Sequence, residues 1–153
     1  MQLLFMLTLP RDAASVPIVR RLCRSSFGAL GVADECVTEL ELLLAEACTN
    51  VLKHADTGDD QYEVEVRTNG LECDIRVRDA GRRFDDEAVG RHAASTSAEG
   101  GRGIHLMRVL CDRLQFVSED SGTVVHLRKT LELAADSPLR LVAPGQAASS
   151  TRS

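Results

Sequence analysis

The chain has 153 residues, 44% of them hydrophobic, enough for one domain with a proper core and too few for two. A formal charge of -5 and an aromatic content of only 3% exclude a phosphate-neutralising surface and a base-stacking platform, so no direct nucleic-acid role is expected. Five cysteines, an odd number without a CxxC pair, argue against a disulfide framework and for a reducing, cytoplasmic setting in which each is a small buried hydrophobe.

The opening run MQLLFMLTLP lacks a basic n-region and a small-residue cleavage site, and it is far shorter than the roughly 20 residues that span a bilayer. It predicts a strand, about Leu3 to Leu9, ended by Pro10, and no membrane contact. From Ala14 to about Leu30, Val16, Val19, Leu22, Cys23 and Phe27 fall at helical spacing, with Arg20, Arg21 and Arg24 mainly off that stripe. After Gly28 and Gly31, Asp34 can cap a second helix running to about His54, whose Val37, Leu40, Leu44, Ala47 and Val51 step by three and four. The alternating segments YEVEVRTN and LECDIRVRD predict two antiparallel strands joined by a tight primed turn at Asn69-Gly70. Between Ala80 and Arg102 periodicity dissolves, and a stretch that long is a lid, a binding loop or disorder. A third helix is expected from Gly103 to about Leu114, then LQFVSED and GTVVHLRKTL as a closing strand pair with Ser121 and Gly122 in the turn. Past about Leu133 the alanine, serine and proline content rises, which predicts a domain over residues 1–131 and a mostly disordered tail over 132–153.

Three pieces carry polar chemistry. In EACTNVLKH, at 100° per residue, Asn50 lies about 40° and His54 about 80° from Glu46 around the helix, with Lys53 about 20° to the other side. All four share a flank beside the apolar stripe, where ordinary solvated polar residues are also found. Asp79-x-Gly81 stands at a strand end: the carboxylate can accept from an exocyclic amine, and the glycine lets a flat ring approach, although the same pair makes a plain turn. EGGRGIHLM sets Gly100, Gly101 and Gly103 immediately before a helix, as an anion-binding start or a flexible hinge.

The ordered set is more specific than its members. Glu46-x-x-x-Asn50, Asp79-x-Gly81, a long lid, Gly101-x-Gly103 opening a helix and Gly122-Thr123 on the last strand resemble the N, G1, G2 and closing boxes of the GHKL ATP-binding superfamily, over about residues 3–131. Within it, EACTNVLKHA, RDAGRRFD and GGRGIHLM are most similar to the RsbW-type anti-sigma factor serine kinases of bacteria. Arg83 stands where many superfamily members carry a second glycine, a departure that several anti-sigma kinases share together with a Phe-Asp pair such as Phe84-Asp85.

The resemblance implies a two-layer α/β sandwich, with a mixed, mainly antiparallel sheet covered on one face by helices. It implies ATP and Mg²⁺, with Asn50 as the single protein ligand of the ion and Glu46 as the base that takes the proton from an acceptor serine. Asp79 would read the adenine amine beside Gly81, Thr123 would complete the base site, and Gly100, Gly101, Arg102, Gly103 and Ile104 would hold the phosphates. Lys53 and His54 would reach toward the nucleotide or its ion, with a structural role for His54 equally open. The implied partners are a sigma factor held inactive and a STAS-domain anti-anti-sigma factor. Homodimerisation is implied as well. Arg20 matches a partner-contacting position, against the plain reading of Arg20, Arg21 and Arg24 as a solvated face. Two other functions stay open: a nucleotide-binding switch without phosphoryl transfer, and a detached catalytic domain serving a histidine phosphotransfer protein. Glu46 disfavours the latter.

Overall fold

The computed structural model describes residues 2–54, 61–79, 98–119 and 122–142. Strand β1 (Leu4–Pro10) leads through a 3₁₀ turn (Ala13–Ser15) into helix α1 (Val16–Ala29), followed by α2 (Asp34–His54), β2 (Gln61–Asn69), β3 (Glu72–Asp79), α3 (Ala98–Leu110), β4 (Arg113–Glu119), β5 (Gly122–Thr130) and a short α4 (Leu139–Val142). The strands form one sheet in the order β1-β2-β3-β5-β4. Every pairing among the described residues is antiparallel, so the expected two-layer α/β arrangement holds without the mixed component.

The alternation in β2 and β3 decides which face meets the helices. Tyr62, Val64, Val66, Cys73, Ile75 and Val77 are buried in one cluster with Val19, Cys23 and Phe27 of α1 and with Leu40, Leu44, Ala47 and Cys48 of α2. Each fully buried Val, Leu or Phe contributes roughly 1.5–3 kcal/mol, so this layer carries most of the stability. The other face is ion-paired: Arg67 meets Glu65 at 3.0 Å, Arg78 lies 3.9 Å from Glu63, and Asp74 takes both His126 at 3.0 Å and Arg128 at 3.1 Å. All five cysteines are buried free thiols.

Several boundaries differ from the sequence-based expectation, each for a local reason. The hairpin register pairs Asn69 with Glu72, so the two-residue turn is Gly70-Leu71. Of these two turn residues only Gly70 takes a positive φ, 60°, which suits the first central position of a type II′ turn. Asp34 is the first helical residue, and its carboxylate takes Arg24 of α1 at 3.0 Å. Helix α3 begins at Ala98 and ends at Leu110, earlier at both ends than expected. Its C-terminus is set by Lys129 Nζ, which donates to the Leu110 carbonyl at 2.8 Å. Gly122 lies in β5, opposite Glu119, rather than in the turn.

The chain also stays in the domain past Leu131. Leu133 bridges to Val32, the Ala134 amide donates to Gly31 O at 2.8 Å, and Ser137, 2% exposed, donates through Oγ to Leu30 O at 2.7 Å. These bonds satisfy carbonyls where α1 turns into α2, which a composition rich in alanine and serine does not reveal. Gly31, at φ 75°, is needed there twice, since a Cβ would also meet Ser137 Oγ at 2.6 Å. Residues 143–153 of the expected tail lie outside the described residues.

Candidate functional site

Helix α2 carries the centre of the site because its apolar stripe docks one face on the sheet and α1, leaving the Glu46–Asn50 flank beside the core. Glu46 and Asn50 are half-buried there, and Lys53 is exposed. Helix α3 packs against α2. It comes so close that a Cβ on Gly103 would stand 2.5 Å from Glu46 Oε2. The structure thus brings together two sequence motifs that the expected lid separates. Among the described residues no lysine, arginine or histidine lies within ion-pair distance of Glu46.

The glycine motif sits differently from the sequence expectation. Gly100, Gly101 and Gly103 lie inside α3 rather than ahead of it. Only the first four amides of a helix lack an intrahelical acceptor, here Ala98 to Gly101, so the Gly103 amide belongs to the helical ladder. The close approach to Glu46, rather than a turn, is what Gly103 makes room for. Arg102 is exposed, and Ile104 is half-buried against the core.

The Asp79 end of the site is held by a residue that sequence reasoning missed. Asp79, 1% exposed at the end of β3, accepts from Arg11 NH1 at 3.2 Å. The same guanidinium donates through NH2 to the Val51 carbonyl at 3.0 Å and to Leu52 O at 3.5 Å. Arg11 follows the strand-ending Pro10 directly, and nothing in its own neighbourhood singles it out. Across the β2–β3 pair Asp79 stands opposite Tyr62. Ser15 Oγ donates to Asp12 O at 2.6 Å, so its one proton is used and the buried Tyr62 hydroxyl is the donor in their 2.5 Å contact. Burial pushes Tyr62 up to about 12 and the neighbouring Cys48 thiol also to about 12, so neither ionises near neutrality.

Arg20 lies elsewhere, on a groove of about 430 Å³ lined by Pro17, Arg20, Arg21, Arg24, Ser25 and Glu41. Within it Arg24 is engaged: it donates to Glu41 at 2.6 Å, to Asp34 at 3.0 Å and to Thr38 at 3.2 Å, and these hydrogen bonds hold its pKa above the ordinary value. Arg20 and Arg21 are exposed without such ties among the described residues. Gly81 and the side chains of His54 and Thr123 lie outside the described residues, although Thr123 itself is placed in β5 opposite Ser118. No helix among the described residues is long and apolar enough to cross a membrane.

Comparison with known proteins agrees with this fold. The histidine kinase-like ATPase domain family matches residues 9–129. A serine-protein kinase RsbW from Bacillus licheniformis is 33% identical over 132 residues, covering 80% of this chain and 82% of its own length. The RsbW of Bacillus pumilus is 32% identical, with 80% and 83% covered. In fold, the chain is similar to the RsbU and RsbW domains of a Mycobacterium tuberculosis protein, with a TM-score of 0.65 at 15% identity, covering 87% of this chain and 35% of that longer one.

Proposed function

From the premise that the chain belongs to the histidine kinase-like ATPase domain family, and within it to the RsbW-type serine-protein kinases, we propose that it phosphorylates a serine of a STAS-type anti-anti-sigma factor and holds a sigma factor inactive. The observation that carries the reading is the Glu46 carboxylate, half-buried, free of cations among the described residues, one turn before Asn50 and against Gly103 of α3.

In this reading Glu46 accepts the proton of the serine hydroxyl as its oxygen bonds the γ-phosphorus of ATP and ADP departs. Asp79 accepts a hydrogen bond from the adenine amine. The free amides at the start of α3, with Arg102 beside them, receive phosphate charge. Asn50 offers one oxygen to Mg²⁺. That fits a chain in which no three His, Cys, Asp or Glu side chains converge among the described residues, because magnesium takes most of its ligands from phosphate and water. The ion would neutralise charge building on the transferred group. Arg20 and Arg21, exposed on their groove, suit acidic side chains of a partner, with Arg20 as the principal contact.

The test is incubation of the full chain with ATP, Mg²⁺ and candidate STAS proteins, followed by mass spectrometry of the acceptor. Phosphate on a single STAS serine is the expected result. ATP-dependent partner binding without transfer would replace the kinase reading with that of a nucleotide switch.

A further inference from the structure

We propose that Arg11 is a positioning and specificity residue: it locks the base-reading carboxylate of Asp79 to the end of α2 that carries Asn50, and fixes the rotamer in which that carboxylate meets the base. The inference rests on the nucleotide-binding reading above. Arg11 has a side chain only 11% exposed, and its two terminal nitrogens serve two different elements. NH1 donates to Asp79 Oδ2 at 3.2 Å on β3, and NH2 donates to Val51 O at 3.0 Å on α2, the residue directly after Asn50. Val51 and Leu52 fall in the last turn of α2, which ends at His54, where helix carbonyls lack intrahelical donors and carry the negative end of the dipole. One planar cation therefore ties a strand end to a helix end.

Two consequences follow for nucleotide binding. The distance from Asp79 to Asn50 is fixed through a rigid fork, so adenine and the metal-bound phosphates are gripped in one register rather than by two independently mobile ends. The same bond to Oδ2 also fixes the rotamer of Asp79, so the carboxylate meets the base in a set direction. A carboxylate held in that direction suits the 6-amino group of adenine and meets a 6-oxo purine acceptor to acceptor, whereas one free to turn aside discriminates less. A lysine cannot reproduce this geometry, because a point charge on a flexible stem lacks the fork.

The experiment measures affinities of ATP and inosine triphosphate for the full-length wild type, Arg11→Gln, Arg11→Lys, Asp79→Asn and Arg11→Gln/Asp79→Asn, with circular dichroism to establish folding. Arg11→Gln is expected to weaken ATP by about 10-fold to 100-fold, the worth of a charged hydrogen bond, and to move the ATP-to-inosine preference toward unity. Arg11→Lys should fall between wild type and Arg11→Gln. The double variant should bind little worse than Asp79→Asn alone, because both changes act through one carboxylate. A merely structural arginine would lower stability and leave the base preference unchanged. That unchanged preference in folded Arg11→Gln, or in Arg11→Lys if Arg11→Gln does not fold, overturns the proposal alone. A wild type that binds neither nucleotide overturns it together with the kinase reading.

Discussion

Two of the carboxylates on helix α2, Glu41 and Glu46, lie little more than one turn apart, and they have opposite fates. Glu41 is 8% exposed and answered by Arg24 at 2.6 Å, inside a cluster that also takes Asp34 and Thr38. Glu46 is half-buried, meets no cation among the described residues and faces a glycine whose absent Cβ leaves it room. The same helix thus closes one carboxylate into the α1–α2 contact and keeps the other available. A polar group whose partner lies in the protein is structural, and a half-buried one without such a partner is a candidate for a ligand.

Neutralising each carboxylate in turn is the strongest way to break that contrast. Glu46→Gln should lose serine phosphorylation by about 10²-fold to 10⁴-fold, the usual worth of a general base, with ATP and sigma-factor binding kept. Glu41→Gln should keep the rate and lose folding stability, because it removes the negative charge that Arg24 pairs with and leaves only a neutral amide oxygen to accept from it. Initial rates on a confirmed acceptor and urea titrations separate the two, and a wild-type rate for Glu46→Gln would take that residue out of catalysis.

Gly103→Ala sharpens the comparison from the opposite side. The new methyl would stand 2.5 Å from Glu46 Oε2, and the flexible carboxylate must move away. A shift of about 1 Å in a catalytic group costs on the order of 10²-fold in rate. Alanine is also a better helix former than glycine by roughly 1 kcal/mol, so thermal stability should hold or rise while kcat falls. Loss of both together would mean that the site of contact is packing and not catalysis.

The buried side of the same helix predicts a pH effect. Burial pushes Cys48 of α2 and Cys23 of α1 up to about 12, whereas an unfolded thiol ionises near pH 8.5. Since the folded value is the higher one, the stabilisation is complete below the unfolded pKa and is lost as pH rises toward the folded one. The loss approaches about 1.4 kcal/mol per pH unit for each thiol. Urea midpoints should fall above pH 9, with a shallower fall in Cys48→Ala, and equal slopes would exclude that thiol as the cause.

The smallest expected effect lies where the segment after Leu131 straps the α1–α2 connection. Ser137→Ala removes the donor to Leu30 O at 2.7 Å and should cost about 1 kcal/mol in chemical denaturation, with kinase rate unchanged. Unchanged stability would return the segment after Leu131 to the role of a loose tail.

What the sequence by itself determined is everything carried by period and by short-range chemistry. Val64, Val66, Ile75 and Val77 announce strands because successive side chains alternate faces, and Leu40, Leu44, Ala47 and Val51 announce a helix because they recur every three or four residues. Glu46 and Asn50 share a flank for the same reason, and the ordered motifs that include Asp79 carried the family resemblance. Only tertiary structure decided who answers whom. Arg11 reaches Asp79 and the end of α2 from just past β1, Arg24 joins Glu41 and leaves Arg20 exposed, Gly103 sits in a helix against Glu46, and Ser137 docks on Leu30. Each of these is a contact between residues distant in the chain, set by how two packed elements happen to meet, and no local period encodes it.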